Sequence, residues 1–418
     1  MSTEIEDLAA FRARARGWIR AELGPFDPEL AVGLHRVPRE QELAAVAHDR
    51  RLQRRFHDAG FAGIAIPREY GGQGLTGAHQ QVFNEELAGY EYPTRFQAPT
   101  MSPCAAVLLD FGTEEQKRRH IPAMLRGEEI WMQFLSEPSG GSDVAGALTT
   151  AVRDGDEWVL NGTKIWTTGA WWSDWALCLA RTNWDVPKHR GLTVFVLPIH
   201  QPGIEVHRIE LLNGSGDFCQ EFLTDVRVPD TDRVGAVDDG WTVGTRWMFH
   251  ERMLFNSPYV THAPGASHTP AETSPLRIAT DAGVLDDPRV LDLIGEAQVL
   301  AVVGRALQER LGSGIRSGRM PDQSAAVGRL FGGVSQVRTE AIKFEIAGSS
   351  TAAWSDGERG VAAASESFLM RQVACIGGGT TEMARNVISE RVLGMPREPA
   401  ADHGIPFREV PRGTRTDR

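Results

Sequence analysis

Three groups of residues in this chain could do chemistry by their types and spacing. Gly140-Gly141-Ser142-Asp143 follows the apolar run Gln133-Phe134-Leu135-Ser136 and a Glu137-Pro138 turn. Glycines let main-chain N–H groups approach a phosphate, while Ser and Asp add a hydroxyl and a capping carboxylate. Further on, Asn161-Gly162 reads as a hairpin-like turn leading into a strand, Lys164-Ile165-Trp166-Thr167-Thr168. The pair suggests a β-rich floor for a planar, phosphate-bearing cofactor; two surface turns flanking two strands would give the same pattern. The third group centres on Glu251, which shares its predicted helix with Met248, Phe249, Met253 and Leu254. That apolar side could desolvate a carboxylate and raise its pKa, as a proton-abstracting base requires. The alternative is a Glu251-Arg252 pair on a solvated helical face.

The elements that must position these residues divide the chain in three, an α+β organisation. Residues 1–128 read as helical, with Ile5, Leu8, Ala9, Phe11 and Ala15 on one face of the first helix. A second helix is predicted over 40–59 and a third over 79–89, and Thr113 caps a fourth ahead of Glu114 and Glu115. Over 129–236 the period changes to two, with strand runs at 158–160, 175–180, 192–197 and 204–206 and a last strand at 222–229. From 237 to 418 the helical period returns, with helices at 241–256, 290–311, 324–347, 365–375 and 381–393. Residues 257–288, rich in Pro, Thr, Ser, Ala, Gly and His, read as a long irregular excursion.

Composition excludes several classes. A net charge of −11 over 418 residues argues against a nucleic-acid partner, since a phosphate-tracking surface needs a basic excess. The four cysteines, Cys104, Cys178, Cys219 and Cys375, form no CxxC pair and read as reduced and mostly buried. Histidines 189, 200, 207, 250, 262 and 268 show no metal-ligand spacing. No signal peptide and no run long enough to span a membrane is visible, so the expectation is a cytoplasmic protein.

The motifs LSEPSGGSD, NGTKIWTTGA and WALCLART resemble the middle-domain signature of the acyl-CoA dehydrogenase flavoprotein family. GFAGIAIPREYGGQG (residues 60–74) and the stretch from Gly377 through Glu382 to Arg391 extend the likeness over nearly the whole chain. The resemblance implies an N-terminal helical domain (1–128), a middle β-barrel or sandwich (129–236) and a C-terminal helical bundle (237–418). It implies FAD as cofactor, an acyl-CoA substrate, an electron-transfer flavoprotein as acceptor, and a homotetramer or dimer, or a heterotetramer of unlike subunits. By motif, Gln133, Phe134, Leu135, Ser136, Gly141 and Ser142 would line the isoalloxazine and pyrophosphate, with Ser142 also near pantetheine. Trp166, Thr167 and Thr168 would stack on and bond the ring, and Thr380 and Glu382 would sit by the adenosine.

The family's commonest base is a glutamate just before the C-terminal Gly-Thr, where this chain has Gly378. Members resembling isovaleryl- and long-chain acyl-CoA dehydrogenases carry it instead on the helix after the β-domain, and Glu251 matches that place with Arg252 beside it. The resemblance thus implies a split site, with the base at Glu251 and the Gly378 N–H polarising the thioester, and with Met248, Phe249 and Arg252 near the substrate. A relocated base suggests a branched, long or bulky acyl group. The family's interface arginine ahead of Phe-Gly is absent, Arg316 and Arg319 being the nearest replacements. A flavin oxidase or monooxygenase of the same fold, or a catalytically silent subunit of a heteromeric dehydrogenase, are the rival readings.

Overall fold

The computed structural model describes residues 5–27, 37–263, 273–352, 359–400 and 402–411. By contact density the chain divides into two units. One holds the helices up to residue 252, the whole sheet and the tail from Ala400; the other holds the remaining helices together with residues 211–215.

In the first unit α1 (Leu8–Glu22) starts at Asp7, whose carboxylate accepts from the Ala9 and Ala10 amides, and it buries Phe11, Ala15 and Ile19. That i, i+4, i+8 row is one stripe of a helix. Ile5 and Leu8, expected on the same face, are exposed. Next come α2 (Arg39–Asp58), α3 (Gly77–Glu86), the single turn α4 (Thr94–Phe96), α5 (Ala106–Phe111) and α6 (Glu114–Leu125). Thr113 and Gln116 close a reciprocal cap at the start of α6, each side chain bonding the other's amide. Between α4 and α5 the irregular stretch 97–105 is buried at every residue but Ala98 and carries Cys104.

The sheet strands are β1 (Trp131–Phe134), β2 (Thr150–Asp154), β3 (Glu157–Thr168), β4 (Trp175–Arg181), β5 (Leu192–Pro198), β6 (Ile204–Ile209), β7 (Phe218–Pro229) and β8 (Arg233–Val234). They run in the order β6-β7-β3-β2-β4-β5-β8, with β1 parallel to β4. Strand β4 is buried on both faces. Leu177 and Leu179 join the core of the N-terminal helices, with Phe11, Phe61 and Phe83, while Ala176, Cys178 and Ala180 face a second core with Trp158, Leu160 and Phe195. Double burial explains why this strand reads as an unbroken apolar run with no alternation.

Asn161-Gly162 is no hairpin turn. It lies inside β3, at a bulge against β7 between Leu160 and Gly162, and the β2–β3 turn falls at Gly155 instead. Glycine is required at 162 by space, since a Cβ there would stand 2.4 Å from the Thr149 hydroxyl oxygen and 2.7 Å from its Cα. A second bulge lies between Ile165 and Thr167 and gives Trp166 a φ of +66°. β7 begins at Phe218, four residues before the expected strand start. α7 (Gly240–Arg252) follows the sheet and ends before a separate turn at 254–256, short of the expected end at Asn256.

The second unit comprises α8 (Pro275–Asp281), α9 (Pro288–Arg316), α10 (Ala325–Ala347), α11 (Arg359–Met370) and α12 (Thr381–Val387). Ile278, Val290, Leu293, Ala297, Ile342 and Ile346 form its core, and Arg338 bonds both Glu296 oxygens at 2.6 Å. Two turns of the expected excursion are therefore helical; residues 264–272, with His268, lie outside the described residues. Among the described residues no helix is long and apolar enough to cross a membrane, and no cluster could hold a metal ion.

Candidate active site

Glu251 sits in the last turn of α7 and is partly buried. Burial raises the pKa of its carboxyl, against the opposing charge of Arg252. The helix end adds to this, because free carbonyls at a C-terminus disfavour a nearby anion. One of those carbonyls, that of His250, is satisfied by the Ser102 hydroxyl at 2.9 Å. His250 also meets Asp110 through Nε2 at 2.9 Å, and Arg246 donates to the same carboxylate at 2.6 Å. Burial pushes the Asp110 carboxyl up, but Arg246 and His250 outweigh it and leave the group below the usual range. α7 is thereby pinned to α5 and to the buried stretch beneath it. Cys104 in that stretch is fully buried, and its thiol is pushed far up by burial and then by the nearby Glu251 charge. Of the neighbours expected to meet substrate, Met248 is partly buried against the core, while Phe249 and Arg252 are exposed.

One helical turn before Glu251, on the same side of α7, the buried Trp247 donates its indole N–H to the Gln133 side-chain oxygen. The Gln133 main-chain oxygen in turn lies 3.3 Å from the Thr167 hydroxyl. A short series of contacts therefore joins the helix of the carboxylate to the strand of Trp166, and the local sequence builds each end. Trp166 is 52% exposed, so it is not a core tryptophan, and its bulge turns the indole out with Phe218 edge-on at 5.8 Å. Thr168 is partly exposed, but Thr167 is turned inward and buried, its hydroxyl 3.0 Å from Glu221.

The glycine-rich loop is open. Gly140 has nothing within 4 Å of where a side chain would begin, and Gly141 has only the Ser136 side chain, at 3.5 Å or beyond. Phe134 is buried in the core of the sheet, Leu135 and Ser136 are partly buried, and Gly141 and Ser142 are exposed. Glu137 anchors the loop from below: it accepts from the Leu148 amide at 2.6 Å, the Thr149 amide at 3.0 Å and the Lys164 ammonium at 2.8 Å. Burial pushes its pKa up, yet Lys164 and these donors prevail and hold it below the usual carboxylate value. Lys188 bonds Asp143 at 2.9 Å and Asp402 at 2.6 Å, while the Phe407 amide bonds Val186. The chain's tail thus lies along the 184–188 turn beside this loop. An open glycine loop and an exposed aromatic on a neighbouring strand suit a phosphate-bearing planar group.

In the second unit, Gly378 and Gly379 have φ of +69° and +97° and open space around them. Thr380 caps α12 by accepting from the Met383 amide at 3.0 Å, and Glu382 is exposed, bonded to the Thr381 hydroxyl and to Arg385.

The residues that sequence reasoning missed are Trp247, Lys164, Glu137 and Glu221. Trp247 stands at i−4 from Glu251, a spacing that could have flagged it. Glu221 lay outside the expected last strand, so its inward register did not show.

The acyl-CoA dehydrogenase N-terminal domain matches residues 5–128 and the acyl-CoA dehydrogenase middle domain matches residues 133–226. The chain is 32% identical to acyl-CoA dehydrogenase IpdE1 of Mycobacterium tuberculosis, over 94% of this chain and 99% of that protein. It is 33% identical to acyl-CoA dehydrogenase FadE34 of the same organism, over 90% of this chain and 50% of that protein. Among solved structures, the Tcur3481-Tcur3483 steroid ACAD shares the fold with a TM-score of 0.72 at 24% identity, covering 95% of this chain and all of that one. The ChsE4-ChsE5 complex from M. tuberculosis gives 0.69 at 25% identity, again covering 95% of this chain and all of that one. With its helical, sheet and helical regions in that order, the chain belongs to the acyl-CoA dehydrogenase family of FAD-dependent oxidoreductases.

Proposed function

We propose that this chain catalyses α,β-dehydrogenation of a bulky, branched or long acyl-CoA thioester, with Glu251 as the base. The observation that carries this reading is the partly buried, pKa-raised carboxyl at the end of α7, tied through Trp247 and Gln133 to the strand of Trp166. Glu251 would take the proton from the carbon beside the thioester carbonyl. The Gly378 N–H would polarise that carbonyl, its glycine leaving room that a side chain would fill. FAD, when bound, supplies the hydride acceptor for the next carbon. Trp166 and Thr168 would hold its ring, Gln133, Leu135 and Ser136 its edge, and Gly141 and Ser142 its phosphates or the pantetheine. Thr380 and Glu382 would attend the adenosine half.

A bulky acyl group is supported by the fold shared with a steroid-acting relative, and an assembly of unlike subunits by the likeness to a two-component complex. An electron-transfer flavoprotein would accept the electrons. The working division is into domains at 1–128, 129–236 and 237–418, and the setting is the cytoplasm. The test is anaerobic addition of a panel of acyl-CoA esters to the purified yellow protein. Bleaching by bulky esters ahead of short straight ones is the expected result. No bleaching by any ester, with FAD bound, would remove the dehydrogenase reading; rapid reoxidation in air would favour an oxidase.

A further inference from the structure

Glu221 is fully buried in the middle of β7, opposite Lys164 of β3. Lys164 does not satisfy it. The ammonium has three protons and spends them on Glu137 at 2.8 Å, the Leu179 carbonyl at 2.6 Å and the Leu135 carbonyl at 3.4 Å. One Glu221 oxygen lies 3.0 Å from the Thr167 hydroxyl, and among the described residues the other has no hydrogen-bond partner. A buried polar atom without a partner is costly, more so when charged.

The Thr167 hydroxyl has a single proton and two acceptors within reach, Glu221 and the Gln133 carbonyl. If Glu221 carries a proton, it donates to Thr167, and Thr167 is free to donate to Gln133. If Glu221 is ionised, Thr167 must donate to it, and the Gln133 carbonyl loses its hydroxyl partner. We propose that Glu221 is a positioning residue of the cofactor site, acting through Thr167 to fasten the strand of Trp166 and Thr168 to Gln133. The inference rests on reading Trp166 and Thr168 as FAD-binding residues.

Burial lifts the Glu221 carboxyl to about 8, against the Thr167 bond and the Lys164 charge, so the fastened arrangement prevails at neutral pH. The other ionisable groups around it are Glu137, paired with Lys164, and the thiols of Cys178 and Cys219, which burial raises to about 11 and about 12. From β6 the residue opposite is the apolar Val206.

The test is FAD binding by the full chain at pH 6.5 and pH 9.5. For the native protein Kd should rise on the order of three- to tenfold at the higher pH, the worth of one hydrogen bond. Glu221→Gln, whose amide always donates, should bind equally at both pH values and as the native protein does at pH 6.5. Thr167→Val, which removes the link while leaving Glu221, should bind weakly at both. Thermal unfolding gives a readout free of cofactor. A raised folded pKa means stability lost as pH climbs from the ordinary glutamate value through about 8, so Glu221→Gln should gain on the native chain across that window. Parallel pH profiles for native and Glu221→Gln proteins, or a Thr167→Val protein that binds as the native one does, would overturn the inference. A native chain that bound no FAD at pH 6.5 would strike the cofactor reading, whereas FAD bound equally at both pH values would strike this inference alone.

Discussion

Glu251→Gln isolates the proposed base. Glutamine keeps the shape and one acceptor oxygen but cannot take a proton, so anaerobic flavin reduction by the best ester should slow by about 10²–10⁴. That corresponds to about 3–5.5 kcal/mol of lost transition-state stabilisation. Folding should not suffer. A carboxyl raised by burial contributes stability that is present below its unfolded pKa and lost as pH rises through the folded value, so replacing it is neutral in acid and neutral or stabilising at pH 8. The native rate should rise with pH as Glu251 ionises, and the variant should lose that limb. Stopped-flow bleaching from pH 5.5 to 9 with the FAD content matched reads both effects. A variant reduced within threefold of the native rate, with the pH limb intact, would refute the assignment. A slow variant that had also lost FAD or unfolded early would mean that Glu251 is structural.

Three further outcomes are expected. Lys164→Met leaves the buried Glu137 without its cation and should cost about 3–5 kcal/mol in urea unfolding; adding Glu137→Gln should return part of it. Because the Glu137 carboxyl is held below its usual value, the native chain keeps this stability above about pH 4.5 and loses it as pH falls through the folded pKa, a drop absent from the double variant. Trp247→Phe removes the donor to Gln133 and should cost about 1–3 kcal/mol of stability, with slower flavin reduction at unchanged FAD content. Trp166→Ala removes an exposed ring and should leave unfolding within about 0.5 kcal/mol of native. It should weaken FAD binding by about 2–12-fold, the worth of one aromatic contact, as read by fluorescence titration.

The sequence was most legible where a signal is local. Thr113 caps its helix as its type and the acids after it predict, and β4 and β5 stand where runs of Val, Leu, Ala and Phe put them. It was least legible where the same residues serve two geometries. Asn-Gly favours a turn because both residues tolerate unusual backbone, yet here the glycine is needed to let β3 pass close to Thr149. β2, between β3 and β4, escaped notice because Val152, Arg153 and Asp154 are exposed and the strand has little apolar content. In the site, the motif residues could be named in advance, but not which way each side chain turns. Trp166 and Thr167 are neighbours, and a one-residue bulge decides that the indole faces out and the hydroxyl in. The partners that hold α7 in place, Ser102 and Asp110 on His250 and Gln133 on Trp247, come from segments distant in the chain, and no local pattern announces them.

The placement of the four thiols has a practical consequence. Cys104, Cys178 and Cys219 are sealed inside, and Cys375 alone retains accessible surface. A maleimide dye added to the native protein therefore marks a single site, in the C-terminal unit, with no need to mutate the others away. Labelling of Cys104 would then require the packing under the α7 carboxylate to come apart, which makes that sulfur a built-in reporter of local opening next to the proposed base.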